Sequence, residues 1–338
     1  MLADNLAIVA PLPWQEDYWQ QLLNRKAQEQ MPHGLLLRGP EGTGKGQFGL
    51  ALAQFMLCLE PTGNVACGRC KSCHLLKAGS HPDLLLVEPE EAGKAIKIEQ
   101  IRRLLDFAGK SPQFGGYRVI LITPAEAMNV NASNALLKCL EEPGKDTLLI
   151  LVSHQISGVL ATIRSRCQSL DFPLPDHAVA LPWLAGVVND QQKADQLLRV
   201  ANGAPLKAVE FNDRDWLKER EVIVKSWIAV FLGKLDPVRA AEQWQGYALL
   251  EILHWLLSWL IDFNRFCAAG EELVVNQDLV PFFKQMSTLV AARQTHEFYE
   301  YIQQLVGMLN SQANPNQQLL VEDLLIRWSQ LGSRPNGC

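Results

Sequence analysis

A chain of 338 residues, 48% hydrophobic and 20% charged, is long enough for two or three domains and apolar enough to give each a packed core. That excludes a chain disordered as a whole. With 31 basic against 36 acidic side chains the net charge is -5, which excludes a uniformly basic coat for nucleic acid and leaves room only for a local basic stripe.

Met1 to Pro13 is apolar but holds Asp4 and lacks a basic leader, so it is not read as an export signal and a cytoplasmic protein is expected. Gly34-Leu-Leu-Leu-Arg38 is a short apolar run that ends on a Gly-rich turn, and Gly44 to Cys58 follows at helical spacing. Asp83 to Val87 is a second apolar run. Ile98 to Gly109 reads as a helix with Ile98, Ile101, Leu104, Leu105 and Ala108 on one face. Arg118 to Ile122 is a third run, Asn131 to Glu142 a helix stopped by Pro143, and Thr147 to Val152 a fourth run. Apolar runs of this length separated by helices predict an α/β fold, a parallel sheet with helices on both faces.

Asp171-Phe-Pro-Leu-Pro175 reads as a linker, and no strand is expected beyond it. Ala178 to Glu210 forms a small helical unit broken at Asn202-Gly203. Asp213 to Leu331 is helical, with Trp216, Trp227, Trp244, Trp255, Trp259 and Trp328 as core of an all-α bundle. The most apolar stretch, Ala248 to Phe266, contains Glu251, His254 and Asp262, so it is a buried helix and not a membrane span. Gly332 to Cys338 is a loose tail. The expected domains are residues 1–170, 171–210 and 211–338.

Gly39-Pro-Glu-Gly-Thr-Gly-Lys45 fits the phosphate-loop pattern G-x-x-x-x-G-K between a strand and a helix. Gly39, Gly42 and Gly44 let backbone N–H groups face phosphate oxygens, and Lys45 would reach the terminal phosphates. The next position should offer a hydroxyl to Mg²⁺, but it is Gly46. The strand from Arg118 ends in Thr123-Pro124 where a carboxylate should organise the metal, and Glu126 is displaced from the strand end. ATP binding stays open on this pattern, whereas Mg²⁺-dependent hydrolysis is not expected.

Cys58, Cys67, Cys70 and Cys73 have the spacing C-x8-C-x2-C-x2-C across residues 58–73. Four thiolates in so short an insertion suit tetrahedral Zn²⁺ in a closed, structural site, with an Fe–S cluster as the alternative. Cys139, Cys167, Cys267 and Cys338 are scattered and read as ordinary residues.

Two further boxes, Asn134-Ala-Leu-Leu-Lys-Cys-Leu-Glu-Glu-Pro143 and Ser165-Arg-Cys167, follow in order, with the cysteine insertion lying between the phosphate loop and His81-Pro-Asp83. Together these resemble the bacterial clamp-loader family of AAA+ proteins over roughly residues 10–330. Asn316 to Leu325 is similar to the family's last collar helix. The resemblance implies an AAA+ P-loop domain, a helical lid and a helical collar for oligomerisation. Active loader subunits carry Asp-Glu at Thr123-Pro124 and a lid arginine where Leu206 stands. The chain is therefore similar to the rigid, non-hydrolysing branch and not to the motor-type gamma/tau subunit. By resemblance Arg166, or else Arg164, is an arginine finger for an ATP site on a neighbouring subunit. The implied partners are the gamma/tau and delta subunits, with the sliding clamp and primed DNA reached through the complex. The implied work is clamp loading within the DNA polymerase III holoenzyme, without an ATPase activity of its own. The alternatives are an active AAA+ ATPase and a zinc-ribbon module that binds DNA through Arg69, Lys71 and Lys77.

Overall fold

The computed structural model describes residues 7–91, 93–214, 216–310 and 315–333. The first six residues of the N-terminal segment, and the tail from residue 334 with Cys338, lie outside the described residues. The chain divides into two units, Met1–Val209 and Glu210–Cys338.

In chain order the first unit holds α1 (Glu16–Ala27), β1 (Gly34–Arg38), α2 (Lys45–Leu57), α3 (Lys71–Lys77), β2 (Leu84–Val87), α4 (Ile98–Ala108), β3 (Arg118–Ile122), α5 (Val130–Glu141), β4 (Thr147–Ser153), α6 (Ala161–Arg164) and β5 (Gln168–Asp171). The helices α7 (His177–Val188), α8 (Gln191–Val200) and α9 (Pro205–Asp213) follow. All strand pairs are parallel and the order across the sheet is β2-β3-β4-β1-β5.

Successive strand residues point to opposite faces, and the two layers of the core follow this period of two. Leu35, Leu37, Val119, Leu121, Leu148, Ile150 and Val152 pack with α1 and α2 through Trp19, Leu22 and Phe48. Leu36, Ile120, Ile122, Leu149 and Leu151 pack with α4, α5 and α6 through Leu104, Leu136 and Ile163. The central strands are apolar at nearly every position because both faces are covered.

The four apolar runs account for β1 to β4, and the structure adds a fifth strand. Gln-Ser-Leu-Asp171 is an edge strand and largely polar, with only Leu170 of its four residues buried. The prolines that follow do not start a free linker at once. The Phe172 N–H donates to the Arg38 carbonyl at 2.8 Å, and the Phe172 ring packs on Tyr18 and Phe48.

The second unit is helical: α10 (Trp216–Phe231), α11 (Pro237–Gln243), α12 (Leu249–Ala269), α13 (Val280–Met286), α14 (Ala292–Asn310) and α15 (Gln317–Ser333). All six tryptophans named above are buried, and Trp227 stacks on Trp328 with ring centres 3.8 Å apart. Asp262 lies fully buried inside α12, where its carboxylate accepts from the Val275 and Asn276 N–H groups and pairs with Arg265. Among the described residues no helix is long and apolar enough to cross a membrane.

Candidate functional site

The chain leaves β1 through residues 39–44 and enters α2, whose N-cap Gly44 is left-handed at φ 86°. Three neighbouring segments grip this loop. A Cβ on Gly39 would stand 2.0 Å from the Phe172 carbonyl oxygen, one on Gly42 2.9 Å from Cβ of both Ala204 and Lys207, and one on Gly44 2.4 Å from Leu12 Cδ1. Trp14 Nε1 and Gln15 Nε2 both donate to the Thr43 carbonyl, at 3.0 and 3.1 Å. From the other side the Leu206 N–H donates to the Gly42 carbonyl at 3.0 Å, so the start of α9 sits on the loop.

Lys45 is buried, and its Nζ donates back to the Pro40 carbonyl of its own loop. Burial pulls its pKa down to about 8, against the upward pull of Glu126 and Glu41. Beyond Gly46 lies a cavity of about 650 Å³ at the carboxyl ends of β2, β3 and β4, lined in part by Glu88, Thr123, Pro124, Glu126 and His154. Glu126 Oε1 accepts from the His154 and Gln155 N–H groups at 2.8 and 3.1 Å. Its Oε2 and His154 Nδ1 are buried without a partner. Thus Gly46 brings no hydroxyl and the end of β3 brings no carboxylate, while Glu126 gives one oxygen to the turn after β4 and leaves the other unpaired. Two elements of an ordinary phosphate-loop Mg²⁺ site are therefore replaced in this chain, at Gly46 and at Thr123-Pro124.

Cys58 caps α2, Cys67 and Cys70 lie on the turn opened by Gly68 at φ 72°, and Cys73 sits in the first turn of α3. The four Sγ atoms lie within 4.8 Å of one another. Cys58 and Cys70 are 4.0 Å apart, Cys67 and Cys73 3.9 Å, Cys58 and Cys73 3.6 Å. A tetrahedron of thiolates about 2.3 Å from Zn²⁺ has edges of about 3.8 Å, so the cluster has the size that such an ion requires. Backbone N–H groups of Cys67, Cys70 and Cys73 each donate to a ligand sulfur, which favours thiolate. Hydrogen bonding, first from the Arg69 backbone N–H, pulls Cys67 down to about 6, while burial pushes Cys73 up. This cluster could hold a metal ion through four protein ligands, with no position left for substrate.

A polar relay ties the cluster to the sheet. Ser72 Oγ donates to the Leu57 carbonyl and meets His81 Nε2 at 2.8 Å, while His81 Nδ1 accepts from the Asp83 N–H at 3.1 Å. The buried Asp83 carboxylate accepts from the Gln113 and Phe114 N–H groups and pairs with buried Arg118 at 3.2 Å. Two of the insertion's cations serve the fold: Lys77 donates to the Gly68 carbonyl at 2.7 Å, and Lys71 lies over the Phe114 ring.

Arg166 stands at the opposite end of the sheet from the phosphate loop. β5 pairs with β1 from Leu35↔Gln168 onward, and the Arg166 carbonyl lies 3.7 Å from a Cβ built on Gly34, where β1 begins. The loop begins where β1 ends. At about 3.3 Å per residue, Gly34 to Gly39 spans roughly 16 Å, farther than an arginine side chain reaches. The guanidinium pairs with Glu141 at 2.6 Å and donates to the Thr162 carbonyl at 3.0 Å. Arg164 is exposed and makes no side-chain hydrogen bond or ion pair within the described residues.

The motifs themselves were visible in sequence; the residues that hold them were not. Leu12, Trp14, Gln15 and Phe172 grip the loop from far along the chain, and no local spacing announces such contacts. The Glu-Glu-Pro ending of Asn134 to Pro143 is solvent-exposed at Glu141 and Glu142, and Glu141 is also the partner of Arg166.

A family model described as "DNA polymerase III, delta subunit" matches residues 14–176, and one for its C-terminal part matches residues 214–330. The chain is 37% identical over 322 residues to "DNA polymerase III subunit delta'" of Pseudomonas aeruginosa, covering 94% of this chain and 97% of that protein. It is 31% identical over 326 residues to the protein of the same name from Yersinia pestis, covering 94% of each. Among solved structures, a gamma subunit-related protein of DNA polymerase III from Thermotoga maritima aligns with TM-score 0.46 and 18% identity, covering 92% of this chain and 99% of that one.

Proposed function

The chain belongs to the DNA polymerase III delta-prime family, and from that premise we propose that it is a non-hydrolysing subunit of the replicative clamp loader. In this reading it assembles with gamma/tau and delta subunits in the cytoplasm and helps open the sliding clamp and place it on primed DNA. Its four cysteines hold one structural Zn²⁺. Its phosphate loop survives as a packed structural turn, and Arg166 contributes to ATP hydrolysis on a neighbouring subunit.

The observation that carries this reading is the separation of Arg166 from the chain's own phosphate loop. The two lie at opposite ends of β1. A guanidinium so placed has no route to its own loop, while it stands exposed at the surface, 37% accessible, where another chain can meet it. Arginine suits that task because its planar fork engages phosphate oxygens and stays charged. The chain's own site meanwhile lacks the hydroxyl and the strand-end carboxylate that hydrolysis needs.

The test has two arms. The purified chain with Mg²⁺ and ATP should show no turnover above background, and the same chain should restore clamp loading to a mixture of gamma/tau and delta subunits that lacks it. Turnover that is abolished by Lys45→Ala would establish an active ATPase. Failure to assemble with gamma/tau and delta would remove the clamp-loader reading.

A further inference from the structure

Resting on the reading of Arg166 as a residue that acts on a neighbour, we infer that Glu141 is a releasable latch for its guanidinium. The carboxylate is an anion supplied by this chain itself, and it holds the fork until a neighbour's phosphate replaces it.

α5 ends at Glu141, whose Oε1 stands 2.6 Å from Arg166 Nη2. The other terminal nitrogen, Nη1, donates to the Thr162 carbonyl, which also accepts from Ser165 Oγ at 3.1 Å. The guanidinium is therefore held at both ends in the isolated chain, one end by a charge and the other by a neutral carbonyl. The same unit contains a contrasting arginine. Arg118 and Asp83 are 2% and 0% exposed, and Arg118 also donates to the Phe107 and Ser111 carbonyls. That pair is part of the core and cannot be exchanged. Arg166 and Glu141 are 37% and 51% exposed, so water can take over the carboxylate when the guanidinium leaves. An exposed pair of this kind shifts an equilibrium only a few-fold. A phosphate in the drier setting of a subunit interface attracts the same fork more strongly. Arg164, just before the box, makes no ion pair among the described residues, so the hold distinguishes Arg166 from its neighbouring arginine.

The latch competes with the neighbour's nucleotide, so removing its charge should ease engagement. Complexes with gamma/tau and delta would be reconstituted with the unaltered chain, Glu141→Gln, Arg166→Ala and the double variant, after equal assembly and metal content are verified. DNA-stimulated ATPase would be measured against ATP concentration at low and high salt. Glu141→Gln should lower the ATP concentration for half-maximal rate roughly two- to fivefold relative to the unaltered chain. The ratio should approach one at high salt, where exposed pairs are screened, and it should vanish in the Arg166→Ala background. A half-saturation that is unchanged or raised by Glu141→Gln, while Arg166→Ala still slows the complex, overturns the latch and leaves the finger standing. An equal shift in the Arg166→Ala background also overturns it, because Glu141 would then act elsewhere. If Arg166→Ala changes nothing, the finger reading fails and the latch fails with it.

Discussion

Gly39→Ala separates a glycine kept for phosphate from one kept for packing. Its φ of +149° lies in the region that L side chains rarely adopt, and the added Cβ would stand 2.0 Å from the Phe172 carbonyl oxygen. That atom is backbone, so no rotamer change relieves the contact, and the chain has to retreat. Retreat stretches the hydrogen bond from the Phe172 N–H to the Arg38 carbonyl and draws the Phe172 ring away from Tyr18 and Phe48. Local strain costs about 1–3 kcal/mol, the hydrogen bond about 1 kcal/mol, and partial loss of an aromatic contact about 1 kcal/mol. A total of about 3–5 kcal/mol is a large share of the stability of an ordinary domain. Urea unfolding of the full chain, followed by far-ultraviolet circular dichroism without nucleotide, is the assay. Gly186→Ala in α7 is the control, because a Cβ there meets nothing within 4 Å; it should be neutral or stabilise by up to about 1 kcal/mol. A Gly39→Ala chain within about 0.5 kcal/mol of the parent, inside the range of an ordinary surface change, would refute the view that packing holds this loop.

Elemental analysis of chain purified without added metal should give one Zn²⁺ per chain. Cys70→Ser should lose that metal while the circular dichroism of the sheet persists, since Leu35, Ile120 and Ile150 pack in other clusters. Acidification with a chelator should release the metal as the thiolates take up protons, read with a zinc-sensitive dye. Burial holds the His81 imidazole below its ordinary value of 6.5, against the upward pull of Asp83. The folded chain therefore refuses a proton that the unfolded chain accepts, and stability falls as pH drops through about 6.5. Urea midpoints at pH 7.5 and 5.5 should differ less in His81→Gln than in the parent.

What could be read from sequence follows from how apolar each element is along its own length. The strands β1, β3 and β4 were legible because both of their faces are covered, which leaves unbroken apolar runs such as Val119 to Ile122. β5 was not, because Leu170 is the one apolar residue of Gln-Ser-Leu-Asp171, whereas the other edge strand, β2, is Leu-Leu-Leu-Val and shows as an apolar run although only Val87 is buried. The thiol cluster was legible because two x2 spacings force its sulfurs together locally. The damage to the phosphate loop was also local, at Gly46 and at Thr123-Pro124. Its grip by Leu12, Trp14, Gln15 and Leu206 depends on chain segments that meet only after folding. So does the place of Arg166, which is fixed by the parallel register of β5 on β1 and by nothing in the Ser165-Arg-Cys167 box.

The most direct measurement is the steady-state ATPase of clamp-loader complexes reconstituted with the unaltered chain or with Arg166→Ala, at saturating ATP and primed DNA. Arg166 lies outside the core and the thiol cluster, so assembly and zinc content should match. An arginine finger contributes on the order of 10³–10⁵ at the site it serves. The complex should therefore lose the share of its turnover that depends on the site facing this chain, while sites served by other subunits continue. A matched, fully assembled complex that hydrolyses ATP at an unchanged rate would contradict the account.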